Sequence, residues 1–342
     1  MGHRIAYDPI GTGAVGDLLY RGDGRAAIDN TPYRPGGQDD GLVLASDAAP
    51  GNPPYKKEAN GSYDYDPKVD PTFNQQLEDR AKLADIAYDK SVAQARAETP
   101  AGWTLEGPGS YFNRETGEAA SAYLFRNNNT GQYVLAFPGT KITNLADSAT
   151  NFAQGAGLES PEYSGAMKLA ASVFNDLKGQ KHVGRDDLEV VGHSLGGGLA
   201  TAAAVANGLK ATVFNPAGVH DNTMAAAVQP HFDSQGNVSP TAEQKDQYKQ
   251  EMQKRISAFA VKYEALTSLQ DKPGVAGLVM PHTFGTVYNM STGGWYESAV
   301  DRLKIGDTRV LALPVVRALG LSTIGIDRQR MSSIRAALGD TP

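Results

Sequence analysis

Residues 188–206 read LEVVGHSLGGGLATAAAVA, and this stretch decides the fold. A β-prone run leads into GHSLG, which fits the pattern Gly-x-Ser-x-Gly around Ser194, and an alanine-rich, helix-forming run follows. A strand, a tight turn and a helix in this order are the context of a nucleophile elbow, in which a serine hydroxyl stands at the end of the strand. Glycines at both flanks allow the strained turn and the close approach of the next helix. The alternative is an ordinary glycine-rich turn with a helix-capping serine.

Short strands and helices alternate on either side of this turn. Apolar residues recur at helical spacing over 73–88 and over 166–177. Short apolar runs typical of buried strands lie at 133–137, 211–214 and 256–261. Strand–helix–strand alternation predicts a mostly parallel sheet covered by helices, so the predicted fold class is α/β.

The composition changes at about residue 72. Residues 1–71 are rich in Gly, Pro, Asp and Asn without periodic apolar spacing, so this loop-rich N-terminal arm buries too little to offset its own ordering entropy. Either the arm is mobile or it drapes over the folded body, and its tyrosines favour draping: Tyr20, Tyr33, Tyr55, Tyr63 and Tyr65. The domain is predicted at 72–342. Its polar segment 233–255 is predicted to be a helical insertion, a candidate for a lid or a partner-docking surface.

Composition and charge exclude several classes of protein. The 342 residues carry 32 basic and 38 acidic side chains, a net charge of −6, so the basic excess of a general nucleic-acid binder is absent. No apolar run approaches the ~18 residues of a membrane span, which excludes an integral membrane protein. The absence of cysteine excludes disulfide scaffolds, thiol catalysis and zinc–cysteine sites. The first 25 residues contain no apolar segment after a basic start, so no conventional signal peptide is expected.

A serine nucleophile needs a base, an acid that orients the base, and donors for the developing oxyanion. The backbone N–H of Leu195, directly after Ser194, is one candidate donor. The run 133–137 ends in a Gly-Thr turn, and the N–H and hydroxyl of Thr140 in this turn are the other candidates. A hydroxyl that only stabilises the turn is the alternative for Thr140.

Three aspartates, Asp64, Asp66 and Asp70, alternate with Tyr and Pro in a loop at the end of the N-terminal arm. Their oxygens are ligands that Ca²⁺ accepts, but the spacing is not that of an EF-hand and no bidentate Glu stands at the twelfth position. Solvated loop acids are therefore the favoured interpretation, and no metal or other cofactor is expected.

Four groups of residues together resemble the class 3, or fungal-type, lipase family, and in particular its bacterial phospholipase-like branch. They are FPGT at 137–140, Asp147 with Asn151, GHSLGG at 192–197 and FNPAG at 214–218. The resemblance covers roughly residues 75–340. It implies an α/β-hydrolase fold, a triad in the chain order Ser–acid–His, and hydrolysis of carboxylic esters of lipids by a phospholipase A type of enzyme.

The resemblance also implies partners and a location. Its bacterial branch implies a lipid or phospholipid substrate at a membrane surface, and an inhibitor or immunity protein as a partner. Many members of that branch are delivered by secretion machinery into competing or host cells. A secreted bacterial toxin effector, exported by a signal-peptide-independent system, is the corresponding expectation.

The triad acid is expected after a later strand. Residues 262–267, KYEALT, follow the run 256–261 and resemble the family segment that ends in the acid, so Glu264 is the candidate and Asp271 the runner-up. A solvated loop carboxylate is the alternative for Glu264, because Glu is mostly exposed in proteins.

The base is the open question. Of the six histidines only His282 follows Glu264, so the chain order favours it. The family histidine, however, precedes a C-terminal helix in the pattern His-x-Met-x-x-Ile, and here residues 329–334 read QRMSSI. Gln329 has no basic nitrogen that could accept the serine proton.

Two interpretations of the base follow. Either His282 has taken the role of the base, or the chain lacks the base. The alternative for His282 itself is a partly buried loop histidine without a catalytic role. The second interpretation makes the protein a catalytically silent, hydrolase-fold binding protein, either naturally or through an inactivating substitution. A thioesterase or peptidase that uses the same elbow is a third, weaker interpretation.

Overall fold

Eleven strands form one sheet in the computed structural model. The structure describes residues 4–7, 18–19, 55–58, 61–88, 90–139, 161–262, 282–292 and 331–339. Within these ranges the strands are β1 (Arg4–Tyr7), β2 (Leu18–Leu19), β3 (Tyr55–Lys57), β4 (Tyr63–Tyr65), β5 (Trp103–Phe112), β6 (Ala119–Asn127), β7 (Tyr133–Phe137), β8 (Leu188–His193), β9 (Lys210–Phe214), β10 (Ile256–Val261) and β11 (Thr286–Met290).

Seven α-helices accompany this sheet within the same ranges. They are α1 (Pro71–Ile86), α2 (Val92–Glu98), α3 (Pro161–Lys181), α4 (Leu195–Asn207), α5 (Asp221–Asp233), α6 (Ala242–Arg255) and α7 (Met331–Leu338). None of the described helices is both long and apolar enough to cross a bilayer.

The strand order is β2-β1-β5-β6-β7-β8-β9-β10-β11-β4-β3. The six strands from β7 to β4 in this order run parallel to one another, and antiparallel pairs flank them at both ends. Successive residues of β7 alternate between the faces: Leu135 and Phe137 pack with α3 and α4, while Val134 and Ala136 pack with α1. Helices therefore cover both faces, and the predicted α/β-hydrolase fold is confirmed, with its parallel part at the centre.

Part of the predicted N-terminal arm belongs to this sheet. Strand β4 pairs in parallel with β11, and the ring of Tyr63 stacks on Tyr288 with 5.4 Å between the centroids. Tyr65 is buried, and its hydroxyl donates to Oδ1 of Asn74 in α1 over 3.1 Å. These tyrosines supply the buried area that the arm needs in order to dock. Tyr20 and Tyr33 lie outside the described residues.

The polar segment predicted as an insertion contains α6. A capping box begins this helix: the Thr241 hydroxyl accepts from the N–H of Gln244, while the Gln244 side chain accepts from the N–H of Thr241. The buried side of α6 consists of Tyr248 and Met252, and the Tyr248 hydroxyl donates to the Val205 carbonyl of α4 over 2.5 Å. The helix is therefore docked on the domain through one narrow face.

A buried ion pair, which no pattern in the sequence indicates, lies near the amino end of β8, the strand that leads to Ser194. Arg80 of α1 donates from Nε to Oε2 of Glu189 over 2.8 Å, and the Thr212 hydroxyl donates to the other carboxylate oxygen over 2.6 Å. Leaving one such charge buried without its partner is expected to cost about 3–5 kcal/mol. The pair therefore fixes α1 and β9 relative to β8, the strand that leads to Ser194.

The junction between α3 and β6 is held by one carboxylate. Gly165 of α3 lies against Ala119, where an added Cβ would come within 2.5 Å of the backbone. Beside this contact, Glu118 accepts from the Ser164 hydroxyl over 2.5 Å and from the Lys168 ammonium over 2.5 Å and 2.7 Å. Burial alone would raise the pKa of the Glu118 carboxyl, but the bonds from Lys168, Ser164 and Thr116 outweigh it and lower the pKa to about 2.

Replacing Glu118 with glutamine should therefore destabilise the fold in a pH-dependent way. Because the pKa lies below its ordinary value of 4.5, the carboxylate stabilises the fold above about that pH and loses its contribution as the pH falls towards 2. We expect E118Q to lower the free energy of unfolding by roughly 0.5–1 kcal/mol at pH 7, the range of partly exposed ion pairs. Urea unfolding of E118Q and of the unsubstituted protein at pH 7 and pH 2.5 measures this difference in the free energy of unfolding. A deficit that is equal at both pH values, or one shared by E115Q in the same turn, would contradict this role.

Candidate active site

Ser194 stands between β8 and α4 in a strained backbone conformation. Its φ of 57° and ψ of −124° lie outside the regions that non-glycine residues ordinarily adopt. The N–H of Ser194 donates to the Phe214 carbonyl over 3.1 Å, and its carbonyl accepts from the N–H groups of Gly197 and Ala217 over 3.0 Å and 2.9 Å. Bonds to β9, to the loop after it and to α4 thus hold the turn from both sides.

The two glycines of the pattern are required by close backbone approach. A Cβ on Gly192 would lie 2.1 Å from the Gly196 carbonyl oxygen, and one on Gly196 would lie 2.4 Å from the Phe137 carbonyl oxygen. Real Cβ atoms essentially never come within 3.0 Å of such neighbours. The turn can therefore close, and pack on the end of β7, only with glycine at these places.

The Ser194 hydroxyl is buried and has no hydrogen-bond partner among the described residues. The residue has no exposed surface, and no hydrogen bond to its Oγ is formed within the described part of the chain. A buried hydroxyl left in this way costs about 1–3 kcal/mol, which folded proteins rarely retain without a functional reason.

The Gly-Thr turn after β7 lies against this elbow. A Cβ on Gly139 would be 2.5 Å from the His193 carbonyl oxygen and 2.0 Å from the Tyr88 hydroxyl oxygen. Thr140 lies outside the described residues. Leu195 is the first residue of α4, so its N–H is at the positive end of that helix. The structure therefore brings Gly139 and the Leu195 amide to the same end of the sheet as Ser194.

The end of β10 is tied to the loop that follows β9. Asn215 adopts a positive φ of 38° and is fully buried. Its N–H donates to the Phe259 carbonyl over 2.8 Å, and its Oδ1 accepts from the N–H of Val261 over 2.9 Å. Asn215 thus fixes the point at which the chain leaves the sheet, three residues before Glu264. Glu264 and Asp271 themselves lie outside the described residues.

His282 does not meet Ser194. It is exposed and precedes β11 by four residues, and Thr286, the first residue of β11, pairs with Ser257 near the start of β10. Because β8, β10 and β11 are parallel, His282 lies at the amino end of the strands, whereas Ser194 follows the carboxyl end of β8. The interpretation of His282 as the base is therefore corrected: chain order allows it, but strand direction places it at the opposite edge of the sheet.

Two further histidines lie at the two ends of α5: His220 at its N-cap and His231 in its last turn. His220 caps this helix, with Nδ1 accepting from the N–H of Asn222 over 3.2 Å, so its neutral form carries the proton on Nε2. His231 stacks on Tyr248 at 3.8 Å between ring centroids, and its pKa is lowered by burial and by Arg185. Both imidazoles are thus engaged at structural contacts.

His193, the residue before the serine, is buried within the elbow. Its Nδ1 lies 2.6 Å from the Tyr88 hydroxyl. This imidazole is therefore held by a tyrosine of another segment.

Gln329 lies outside the described residues, but the helix after it is docked on the domain. Met331, Ile334 and Leu338 of α7 are buried on the face of the sheet that α1 covers. The Asn74 side chain of α1 donates to the Leu338 carbonyl over 2.8 Å. The segment that carries the family pattern is therefore attached to the same layer as α1.

Comparisons with known proteins decide the family. Residues 79–300 match the family model described as a Tle-like phospholipase domain, a phospholipase-like group, and this range contains the elbow and the turn at Gly139. The chain belongs to this family. The matched range of the phospholipase-like domain includes neither β4 nor α7. The comparison thus confirms the phospholipase-like part of the predicted resemblance, and membership of class 3 stays a prediction.

Two individual proteins resemble this phospholipase-like chain. An extracellular phospholipase A1 of Serratia liquefaciens is 32% identical over 187 residues, which are 55% of this chain and 50% of that protein. The chain therefore spans about half the length of this curated relative. The crystal structure of acetyl xylan esterase 1 from Thermoanaerobacterium sp. JW/SL YS485 is 12% identical, with a TM-score of 0.24 over 68% of this chain and 92% of the other. That likeness is too weak to bear on function.

Proposed function

We propose that this protein hydrolyses carboxylic esters of phospholipids, as a phospholipase A type of enzyme, with Ser194 as the nucleophile. The observation that carries the proposal is the elbow at the carboxyl edge of the parallel strands. A non-glycine residue is held there at a φ of 57°, and its buried hydroxyl has no partner within the part of the chain that the structure describes. Membership of a phospholipase-like family and the likeness to an extracellular phospholipase A1 make lipid esters the favoured substrate class.

The proposed reaction is acyl transfer through the serine. The Ser194 oxygen attacks the ester carbonyl carbon and gives its proton to a base, and the carbonyl oxygen becomes an oxyanion. The N–H of Leu195 and the N–H and hydroxyl of Thr140 bind this oxyanion. The alcohol leaves with the proton from the base, and water then cleaves the acyl-enzyme. Glu264, with Asp271 as the runner-up, orients the base.

The identity of the base separates two forms of the proposal. Position 329 is where the family pattern has its histidine, and glutamine there cannot accept the Ser194 proton. His282 is at the wrong edge of the sheet for this role. The second candidate function is therefore a catalytically silent, hydrolase-fold protein that binds lipid or a protein partner, and Gln329 is the observation that favours it.

We further propose that the protein acts outside the cell that makes it. The curated relative is an extracellular phospholipase A1, and a phospholipase must meet its substrate at a membrane surface. Release into competing or host cells, as a toxin effector without a conventional signal peptide, is the more specific form of this proposal. An inhibitor or immunity protein that covers Ser194 would protect the producing cell.

Release of fatty acid from phosphatidylcholine vesicles tests the proposed activity. We expect the release to exceed that from a trioleoylglycerol emulsion, from a matched thioester and from a matched amide, because the family points to phospholipid esters. If neither the natural chain nor its Q329H variant releases fatty acid from any of these lipids, the hydrolase proposal is wrong. Preference for the thioester or the amide would instead favour a thioesterase or a peptidase.

A further inference from the structure

The side chain of Tyr88 reaches the elbow from the end of α1. Its hydroxyl donates to the His193 carbonyl over 3.1 Å, and the same oxygen lies 2.6 Å from Nδ1 of the His193 imidazole. A carbonyl can only accept, so when the hydroxyl donates to the carbonyl, Nδ1 carries a proton and donates to the same oxygen; in the other imidazole tautomer the hydroxyl donates to Nδ1. Tyr88 therefore binds both the backbone and the side chain of the residue before Ser194.

The same hydroxyl also meets the turn after β7. A Cβ on Gly139 would lie 2.0 Å from the Tyr88 oxygen and 2.7 Å from its Cζ atom, so the α-carbon of Gly139 is packed directly on the end of the tyrosine ring. The same Cβ would lie 2.5 Å from the His193 carbonyl oxygen, which is 3.1 Å from the Tyr88 oxygen. One oxygen atom thus touches both backbone segments that carry the proposed oxyanion donors.

The surroundings keep this hydroxyl neutral and in place. Burial raises the pKa of Tyr88 well above its ordinary value of 10.0, and the negative charge of Asp85 contributes a smaller increase. The ring lies 5.8 Å from the His193 imidazole, centroid to centroid. Because Tyr88 follows α1 by two residues, and α1 is anchored to β8 through Arg80 and Glu189, the hydroxyl is fixed by a rigid element.

We propose that Tyr88 is a positioning residue for the reaction of Ser194: its hydroxyl sets the spacing between the elbow at His193 and the turn at Gly139. This inference rests on the proposed function. The oxyanion donors lie on these two segments, and a displacement of about 1 Å in such an arrangement is enough to cost roughly 100-fold in rate. Among the described residues, the Tyr88 hydroxyl contacts His193 and Gly139 and forms no hydrogen bond with Ser194, so its effect is exerted through the backbone.

The Y88F variant, which keeps the ring and removes only the hydroxyl, tests this role. Y123F is the matched control, because the Tyr123 hydroxyl also donates to a backbone carbonyl, that of Lys90, over 2.6 Å. We expect Y88F to lower kcat for a p-nitrophenyl ester by about 10- to 100-fold with KM within about twofold, since positioning acts in the transition state. Y123F should leave both constants within about twofold.

Deuterium exchange supplies a readout that does not need turnover. Peptides that cover 133–139 and 188–198 should exchange faster in Y88F than in Y123F, because the contact between the turn and the elbow is lost. Unchanged exchange, unchanged kcat, or equal losses in both variants would overturn the inference.

Measuring whether ester turnover depends on Ser194 shows whether a failed experiment contradicts the role of Tyr88 or the proposed function. If the natural chain lacks turnover, the kinetic comparison is made in the Q329H background. If neither background shows turnover that depends on Ser194, the proposed function is wrong, and the positioning role of Tyr88 in that reaction is wrong with it. An active enzyme that Y88F leaves unchanged removes the inference alone.

Discussion

Replacing Ser194 with alanine should abolish the ester hydrolysis that the active Q329H background is expected to show, while leaving the fold at least as stable. Loss of a serine nucleophile that acts with its base typically lowers kcat by about six orders of magnitude, which here means turnover at the level of the blank. The stability should not fall, because the hydroxyl that is removed is buried and forms no hydrogen bond within the described residues. Alanine retains the Cβ and therefore the same backbone strain at a φ of 57°.

Fatty-acid release and thermal unfolding, measured on the same preparations, check both parts of this prediction. We expect S194A to raise the free energy of unfolding by about 1 kcal/mol, the lower end of the penalty for an unsatisfied buried hydroxyl. S257A is the matched control, since Ser257 is a buried serine of β10 near the amino edge of the sheet, and it should keep its turnover. Activity that survives in S194A would refute the assignment of the nucleophile.

Replacing Gln329 with histidine should raise ester turnover by at least about 100- to 10,000-fold, the contribution of a positioned general base. Glutamine can orient a water or a hydroxyl but cannot hold the proton that Ser194 must lose, so the natural chain is expected to be silent or nearly so. The gained activity should increase with pH through about 6.5, where an unperturbed imidazole loses its proton. Initial rates on phosphatidylcholine vesicles between pH 5 and 8.5 measure both effects.

Three variants make this second experiment decisive. R330H places an imidazole one residue further along and should show no gain, because a base must lie within hydrogen-bond reach of the serine. Adding S194A to Q329H should remove the gain. H282A should have no effect in either background, given its place at the amino edge of the sheet. No gain in Q329H, with H282A also silent, would favour the binding protein over the enzyme.

The prediction of the elbow succeeded because its geometry is encoded within a few residues. Glycine is required at positions 192 and 196 by contacts of 2.1 Å and 2.4 Å that any Cβ would make, and such a requirement is visible in the sequence itself. The continuous apolar run of β7 likewise predicts a strand buried on both faces. A strand that enters this turn and a helix that leaves it are enough to predict the carboxyl-edge position of Ser194.

The contacts between distant segments were not predictable in the same way. Tyr88 and His193 are 105 residues apart, and Arg80 and Glu189 are 109 residues apart, so no local pattern relates them. Strand β4, in the predicted arm, reads as a loop because its three residues carry no periodic signal, and it becomes a strand only through pairing with β11. His282 illustrates the same limit, because order along the chain does not say at which edge of a sheet a residue lies.

The amino-acid sequence by itself determined the α/β class, the strained turn at Ser194 and the absence of a histidine at position 329, since each depends on residue type and short-range spacing. The tertiary structure alone decided which segments surround that turn: Gly139 and Tyr88 against His193, Asn215 at the end of β10, and His282 at the far edge. The physical reason is that backbone strain and periodicity are local properties, whereas strand order and direction are fixed by packing across the whole sheet.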